Sequence, residues 1–502
     1  MTTQQSYKIT PIANLLGRSG SNHMLLGLLT ISPSGTLAIN DLTGSIALDL
    51  THAKPIPEDS AWFTPGMIVL VDGTYEEDDN STGTLGGTGG VGGTIGGKFI
   101  GFFIGGPPCE RRAVTLGVGG TNGEGDVTAG GGFGWVDFLG VGSERAVGSK
   151  MRKLEQRLIK HLARDEEGAG NGRVIIIGEV NLDQPHTLQA LKKLLGIYAS
   201  EPEEDTPMTF VFMGNFVQHA IMARGGSGGS IEYKEYFDAL ASTLSDYPTL
   251  LQAATFVFVP GDNDGWTSSF SAGAATPLPR KGIPEMFTSR IKRAFAAANA
   301  EAEKERRGKT EGEAVWTSNP ARLSLFGPTH EIVLFRDNMS GRLRRSAIKF
   351  SSKLEEDEDM GMSPVAEPVT EPAEGPTEMD VDTDMQAVKS HVPEPTPGEE
   401  TLSSDLHTAR KLVKTILDQG YLSPFGMAIR PVLWDYTSSL QVYPLPTAMV
   451  LCDTEAPAFC VTYEGCHVMN PGSVVAPGRR GVAKWVEYNI RHKVGKVREA
   501  LF

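Results

Sequence analysis

The chain has 502 residues but only four cysteines, Cys109, Cys452, Cys460 and Cys466. They are too few and too scattered for a disulfide framework, which fits a reducing compartment. No stretch approaches the ~18 uninterrupted apolar residues of a membrane helix, so no membrane span is expected. The opening MTTQQSYKIT lacks the charged-then-apolar layout of a signal peptide, and an intracellular protein is expected. Basic charge is also in deficit, with 46 Lys and Arg against 61 Asp and Glu, a net charge of −15. A strongly basic nucleic-acid sleeve is thereby excluded. The deficit is local, however. Between Leu354 and Glu400 lie 15 acidic residues and one basic residue, Lys389. The rest of the chain is close to neutral, which excludes an acidic solvating protein as well.

What is present divides the chain. Residues 1–112 read as all-β: Met24–Thr30, Thr36–Asn40, Ser45–Leu50, Met67–Asp72 and Phe99–Ile104 are short apolar runs between turn signals. Five such strands suggest a small closed barrel, of which the OB-fold is the commonest form. Two glycine-rich stretches, Gly83–Gly97 within this block and Gly117–Gly134 after it, read as a long loop and part of a linker over 113–146. Gly92, Gly97 and Lys98 mimic a phosphate-binding loop, but Phe99 stands where Ser or Thr must hold magnesium.

From residue 147 to 502 the pattern is α/β. A helix is expected at Lys150–Ala163, then buried runs Val174–Ile177, Thr209–Met213 and Thr255–Val259 alternate with helices near Thr187–Tyr198 and Ile231–Ser245. A helix at Glu285–Arg306 precedes β-like runs Val315–Leu325 and Glu331–Phe335. The segment 354–400, with seven prolines and no aromatic residue, is expected to be a disordered acidic insertion. Folding sequence resumes with a helix from Ser404 to Asp418, followed by Pro431–Tyr436, Ala448–Cys452, Cys466–Asn470 and an apolar stretch from Trp485.

The first three buried runs end in polar clusters: Gly178-Glu179-Val180-Asn181, Gly214-Asn215-Phe216 and Gly261-Asp262-Asn263-Asp264. Ligand sites of such sheets lie beyond the carboxyl ends of the strands, so the clusters should face one crevice. Three strand-end clusters behind a barrel resemble the calcineurin-like metallophosphoesterase architecture. Two-metal hydrolysis there needs a bridging carboxylate, further anionic or imidazole ligands and a histidine near the leaving group. Here Asn181 stands for a histidine ligand, Asn215 for the bridging aspartate and Asn263 for the catalytic histidine, and Asn470-Pro471-Gly472-Ser473 replaces a late histidine motif. An amide cannot bridge two dications, because it brings neither a second anionic oxygen nor a charge to offset theirs.

An OB barrel joined to a phosphoesterase domain without its chemistry resembles the B-subunit family of replicative DNA polymerases, more narrowly its polymerase epsilon branch. The resemblance rests on Leu25–Leu29, Asp41–Leu50, Phe256–Gly261, Leu278-Pro279-Arg280, Thr317–Pro320, Glu331–Arg336, Val413–Leu417, Val442–Pro446 and Asn470–Ser473, and covers roughly residues 8–112 and 172–490. It implies an inactive phosphoesterase-like sandwich over 147–502, no catalytic residue, no metal and no cofactor. Glu179, Asn181, Asn215, Asp262, Asn263 and Asn470 are then former metal-site positions. It also implies a non-catalytic accessory subunit in the nucleus that binds the C-terminal zinc-bearing region of the polymerase epsilon catalytic subunit, with other holoenzyme and replisome subunits as further partners. The family commonly carries a small helical domain ahead of the barrel; this sequence has almost no room for one.

Two rival readings stand beside it. Glu179, Asp262 and Asp264 could collect one magnesium ion in an active metal-dependent phosphoesterase, although loop carboxylates are usually just solvated. The barrel could bind single-stranded DNA, but residues 1–112 hold six basic against ten acidic side chains, which points to indirect or weak DNA contact. Asn215 and Asn263 read as loop formers, Cys452, Cys460 and Cys466-His467 as buried thiols rather than a zinc site, and the basic clusters Lys304–Lys309 and Arg342–Arg345 as solvated surface.

Overall fold

The computed structural model describes residues 8–77, 94–115, 172–202, 205–220, 229–265, 276–305, 311–325, 330–350, 397–479 and 481–502. The linker beyond residue 115, the helix expected at Lys150–Ala163 and the acidic segment up to residue 396 lie outside these residues.

The N-terminal strands are β1 (Asn22–Ile31), β2 (Leu37–Asn40), β3 (Ser45–Asp49), β4 (Lys54–Pro55), β5 (Ile68–Glu76) and β6 (Thr94–Gly105). They run in the order β3-β2-β1-β5-β6-β4, and β3 pairs back onto β6, which closes the barrel. The period-two pattern of β5 sends Val69, Val71 and Tyr75 inward, each at most 1% exposed. Asp41 fixes the turn before β3: its carboxylate accepts the N–H groups of Thr43, Gly44 and, from across the barrel, Ile12.

Strands β7 (Arg173–Ile177), β8 (Thr209–Met213), β9 (Thr255–Val259), β10 (Glu313–Trp316), β16 (Val482–Asn489) and β17 (Val494–Leu501) form a second sheet, ordered β10-β9-β8-β7-β16-β17. Its first four strands are mutually parallel and β16 returns antiparallel to β7. Strands β11 (Ala321–Ser324), β12 (Glu331–Arg336), β13 (Ala448–Cys452), β14 (Phe459–Tyr463) and β15 (Cys466–Asn470) form a third, ordered β11-β12-β13-β15-β14, in which β12, β13 and β15 are parallel.

Alternation sorts the cores. In Thr209–Met213 and Thr255–Val259, Phe210, Phe212, Phe256 and Phe258 face the helices Pro185–Ala199, Gly229–Ser245, Pro248–Ala253 and Glu285–Glu305. Val211, Met213, Val257 and Val259 point the other way, against Ile332, Leu334, Ala448 and Val450 of the third sheet. The two sheets thus form a sandwich with helices on one outer side. On the other outer side, Val333, Phe335, Met449 and Leu451 share a core with the helix Pro397–Gln419 and with the barrel. Thr415 accepts the Trp62 N–H, and Gln419 bonds both backbone groups of Ile68, which fixes the barrel against that helix.

Several sequence expectations need correction. The run Val315–Leu325 is two strands in different sheets, separated at Asn319-Pro320, because the chain crosses from one layer to the other. β6 begins at Thr94, so Gly96 and Gly97, the end of the expected glycine-rich loop, belong to a strand. The helix expected from Ser404 already begins at Pro397, inside the span assigned to the acidic insertion. Within Pro431–Tyr436, Val432 makes an isolated bridge to Leu278 and a 3-10 helix starts at Trp434. β14 is absent from the sequence reading, because Phe459–Tyr463 is only partly apolar.

Candidate functional site

The parallel strands of both sheets end at one crest. From the second sheet come Glu179 after β7, Asn215 after β8, and Asp262, Asn263 and Asp264 after β9. From the third come Arg336 and Asp337 at the end of β12, Asp453 after β13 and Asn470 at the end of β15.

Gly214 and Gly261 let the first three clusters touch. A Cβ at Gly214 would lie 2.2 Å from Asp264 Oδ2, and one at Gly261 would lie 2.3 Å from Asn215 Oδ1, so no side chain fits at either place. Asn215 donates from its backbone N–H and from Nδ2 to Glu179, both at 3.1 Å, and its Oδ1 accepts the Asn263 N–H at 3.0 Å. Asn263 Nδ2 donates to the carbonyls of Val217 and Gln218. The loop-forming role expected of both asparagines is what these bonds describe. Asp264 accepts the N–H groups of Gly261 and Phe216 and the Tyr233 hydroxyl. Burial pushes its carboxyl up to about 6, against those backbone donors and with the Glu179 charge adding to the rise.

The counter-ions are arginines. Arg336 donates from Nε and Nη2 to Glu179 Oε2 at 3.0 and 2.8 Å, and from Nε to the Gly214 carbonyl. This two-point grip holds Glu179 in the left-handed region, with φ of 47°, a conformation a non-glycine residue adopts only when its surroundings impose it. Arg430, fully buried, donates to Asp262 Oδ1 at 2.6 Å and to the Thr276 carbonyl at 3.0 Å, and its Nε lies 3.0 Å from Asp337 Oδ2. Arg342 donates to Asp337 Oδ1 at 3.0 Å and reaches Asp262 Oδ2 at 3.8 Å. Arg280 binds the backbone carbonyl of Asp264. Although burial opposes the charged form, the carboxylates prevail and raise the pKa of both Arg336 and Arg430.

Two expectations fall here. Asp262 and Asp264 are not solvated loop carboxylates but are 7% and 0% exposed. Arg342 is not solvated surface either: it is buried in the crevice, while Arg344 and Arg345 bond Glu455. Asn470 is fully buried yet stands apart from the Glu179 group. Its amide ties the Asp453 N–H, the carbonyls of Asp453 and Pro457, and the Gly472 N–H. Asn181 Oδ1 is buried with no hydrogen-bond partner among the described residues.

The donor set does not fit a pair of divalent ions. Glu179, Asp262 and Asp337 already face guanidinium groups, and Asn215 and Asn263 offer only amides committed to their neighbours. The histidines buried among the described residues are elsewhere: His330 precedes β12 and His467 is the second residue of β15, at the opposite ends of their strands, bonded to Tyr488 and to Thr462 and Gly495 respectively. Among the described residues no group of three or more His, Cys, Asp or Glu is placed to hold a metal. For the magnesium reading of Glu179, Asp262 and Asp264, two of the three carboxylates are already engaged: Glu179 by Arg336 and Asp262 by Arg430. Sequence reasoning misses Arg336, Asp337, Arg342 and Arg430. The one usable signal is that Glu331–Phe335 ends in a polar cluster, Arg336-Asp337-Asn338, just as β7, β8 and β9 do.

Two stretches of the chain match known protein families. The family model for the DNA polymerase alpha/epsilon B-subunit matches residues 174–461, and the chain belongs to that family. Residues 1–108 match a second model, DNA polymerase epsilon subunit 2-like, OB-fold domain. The chain is 33% identical to the DNA polymerase epsilon B-subunit of Saccharomyces cerevisiae, over 96% of this chain and 60% of that protein. It is 31% identical to the Schizosaccharomyces pombe protein of the same name, over 94% of this chain and 61% of that one. The Debaryomyces hansenii protein of that name is 31% identical, with 99% of this chain and 67% of the relative covered. The chain therefore spans about three fifths of the first two relatives. Among solved structures, TT1561 of Thermus thermophilus covers 66% of this chain and 99% of its own at a TM-score of 0.25 and 11% identity, a likeness too slight to bear on the fold.

Proposed function

We propose that the protein is a non-catalytic accessory subunit of DNA polymerase epsilon, acting in the nucleus, whose sandwich is a phosphoesterase-like fold without phosphoesterase chemistry. On this reading it binds the C-terminal zinc-bearing region of the catalytic subunit, stabilises the holoenzyme and touches DNA weakly or through its partners. Glu179, Asn181, Asn215, Asp262, Asn263 and Asn470 are then former metal-site positions kept for structure. The observation that carries the reading is the crevice itself: arginines from the third sheet and its flanking segments face the carboxylates that a hydrolase would offer to metal ions. The barrel and the sandwich support the scaffold role, since residues of both are buried in one shared core.

The test is co-expression with the C-terminal region of a polymerase epsilon catalytic subunit. The complex is expected to co-purify and to survive roughly 1 M salt, where charges more than about 3 Å apart are screened, because a broad, partly apolar interface is expected. Failure to co-purify overturns the accessory reading. In parallel, the purified chain is expected to hydrolyse no phosphodiester with manganese, magnesium or zinc. Turnover abolished by chelation would overturn the non-catalytic part. Chelation is the cleaner control, since Glu179→Ala or Asp262→Ala would strip buried arginines of their counter-ions.

A further inference from the structure

Four groups in the crevice form a closed ring of alternating charge. Arg430 lies between Asp262 at 2.6 Å and Asp337 at 3.0 Å, and Arg342 lies between the same two carboxylates at 3.8 and 3.0 Å. Every member is buried, at no more than 9% exposure. Beside the ring, through the chain neighbour of Asp337, Arg336 closes on Glu179. Two guanidinium groups on two carboxylates sum to zero, so the ring is neutral without any added ion. In a low-dielectric interior, an unmatched carboxylate there would be strongly disfavoured.

We propose that the guanidinium groups of Arg430, Arg342 and Arg336 are the built-in replacement for divalent cations in this crevice, and that removing Arg430 or Arg342 turns the ring into a divalent-cation site. This rests on reading the sandwich as a phosphoesterase-like fold. Without the Arg430 side chain, Asp262 and Asp337 face a vacated space with one guanidinium left between them, and the Thr276 carbonyl that Arg430 Nη1 bonds at 3.0 Å faces it too. Two carboxylates and a carbonyl are oxygen ligands of the kind that manganese and magnesium accept, and water entering the vacated volume completes the shell. In the intact chain the same oxygens face the guanidinium group of Arg430, so the ring should refuse the ion.

The experiment uses the full chain and manganese as probe. Its melting temperature is expected to be the same in EDTA and in excess manganese. Arg430→Ala is expected to melt about 5 °C lower in EDTA, because it leaves a buried carboxylate without its partner. Manganese should then recover about 3 °C of the loss. The recovery should vanish in Arg430→Ala combined with Asp262→Asn, which removes a ligand but not the cavity. Arg342→Ala should show the same pattern more weakly. If Arg430→Ala does not fold in EDTA, its refolding yield with and without manganese becomes the readout, and an equal yield counts against the proposal. Melting of the variant that ignores manganese, recovery that persists with Asp262→Asn, or a wild-type chain that manganese stabilises would each overturn it. Absence of rescue leaves the accessory-subunit reading untouched, whereas failure to co-purify with the catalytic subunit would overturn that reading and not this one.

Discussion

Two groups of acid–base pairs, one on the barrel and one at the crest of the sandwich, differ in how much of the structure depends on them. On the barrel, Lys98 lies 3.9 Å from Asp49 and 3.5 Å from Glu76, with side chains 49%, 36% and 53% exposed. At the crest of the sandwich, Arg430 and Asp337 are 0% and 1% exposed at 3.0 Å. The chemistry is the same and the surroundings are not. Water screens the first group and supplies substitutes when a partner is lost, whereas nothing substitutes at the crest. A buried ring need not add net stability over an apolar one, but breaking it strands a charge.

That contrast can be broken or sharpened by measurement, beginning with the largest effect. Asp337→Asn should cost about 4 kcal/mol in urea unfolding, since it leaves Arg342 and Arg430 sharing one carboxylate. A cost no greater than that of an exposed pair would mean that burial is not what separates the two settings. Leu412→Ala should cost about 3 kcal/mol, because Leu412 is wholly buried where barrel and sandwich share a core. Tryptophan fluorescence and far-UV circular dichroism should report one coincident transition, while two separated transitions would show that the barrel melts alone.

Asp264 gives a pH signature of similar size. Its carboxyl is raised from 3.8 to about 6 in the folded state, so the native form keeps a proton that the unfolded chain has lost. Its contribution is therefore full below about pH 4 and lost as pH rises through 6, a swing of roughly 3 kcal/mol. Subtracting the stability profile of Asp264→Asn from that of the wild type should isolate this slope between pH 4 and 6, and a flat difference would contradict it. The smallest effect is Lys98→Ala, expected within about 0.5 kcal/mol of the wild type at any salt concentration.

How much of this is legible in the sequence follows from distance along the chain. The ends of β7, β8 and β9 can be read because each continuous apolar run is followed by glycine, or by Pro260-Gly261 after β9, and then by polar residues, a purely local signal. Their convergence can be read too, since parallel strands place such ends on one edge. The partners cannot. Arg336 meets Glu179 across 157 positions and Arg430 meets Asp262 across 168, and an arginine in isolation looks like surface. Arg342 misleads for that reason, inside a basic cluster of which only the first member turns inward. The split of Val315–Leu325 between sheets is similarly hidden, because periodicity reports a strand but not the layer it joins.

The order in which the chain is made gives the layout a further consequence. β7 pairs with β16, with Ile176 opposite Val486, and Trp62 of the barrel bonds Thr415 across 353 positions. During translation, the apolar edge of β7 and the inner flank of the barrel must therefore wait, unpaired, until most of the polypeptide has emerged. Such long-range closure is slow, and open strand edges are prone to mispairing. A nascent chain stalled before residue 482 would expose one side of β7 to whatever strand it met first, so mispairing at that edge is the failure that slow synthesis invites.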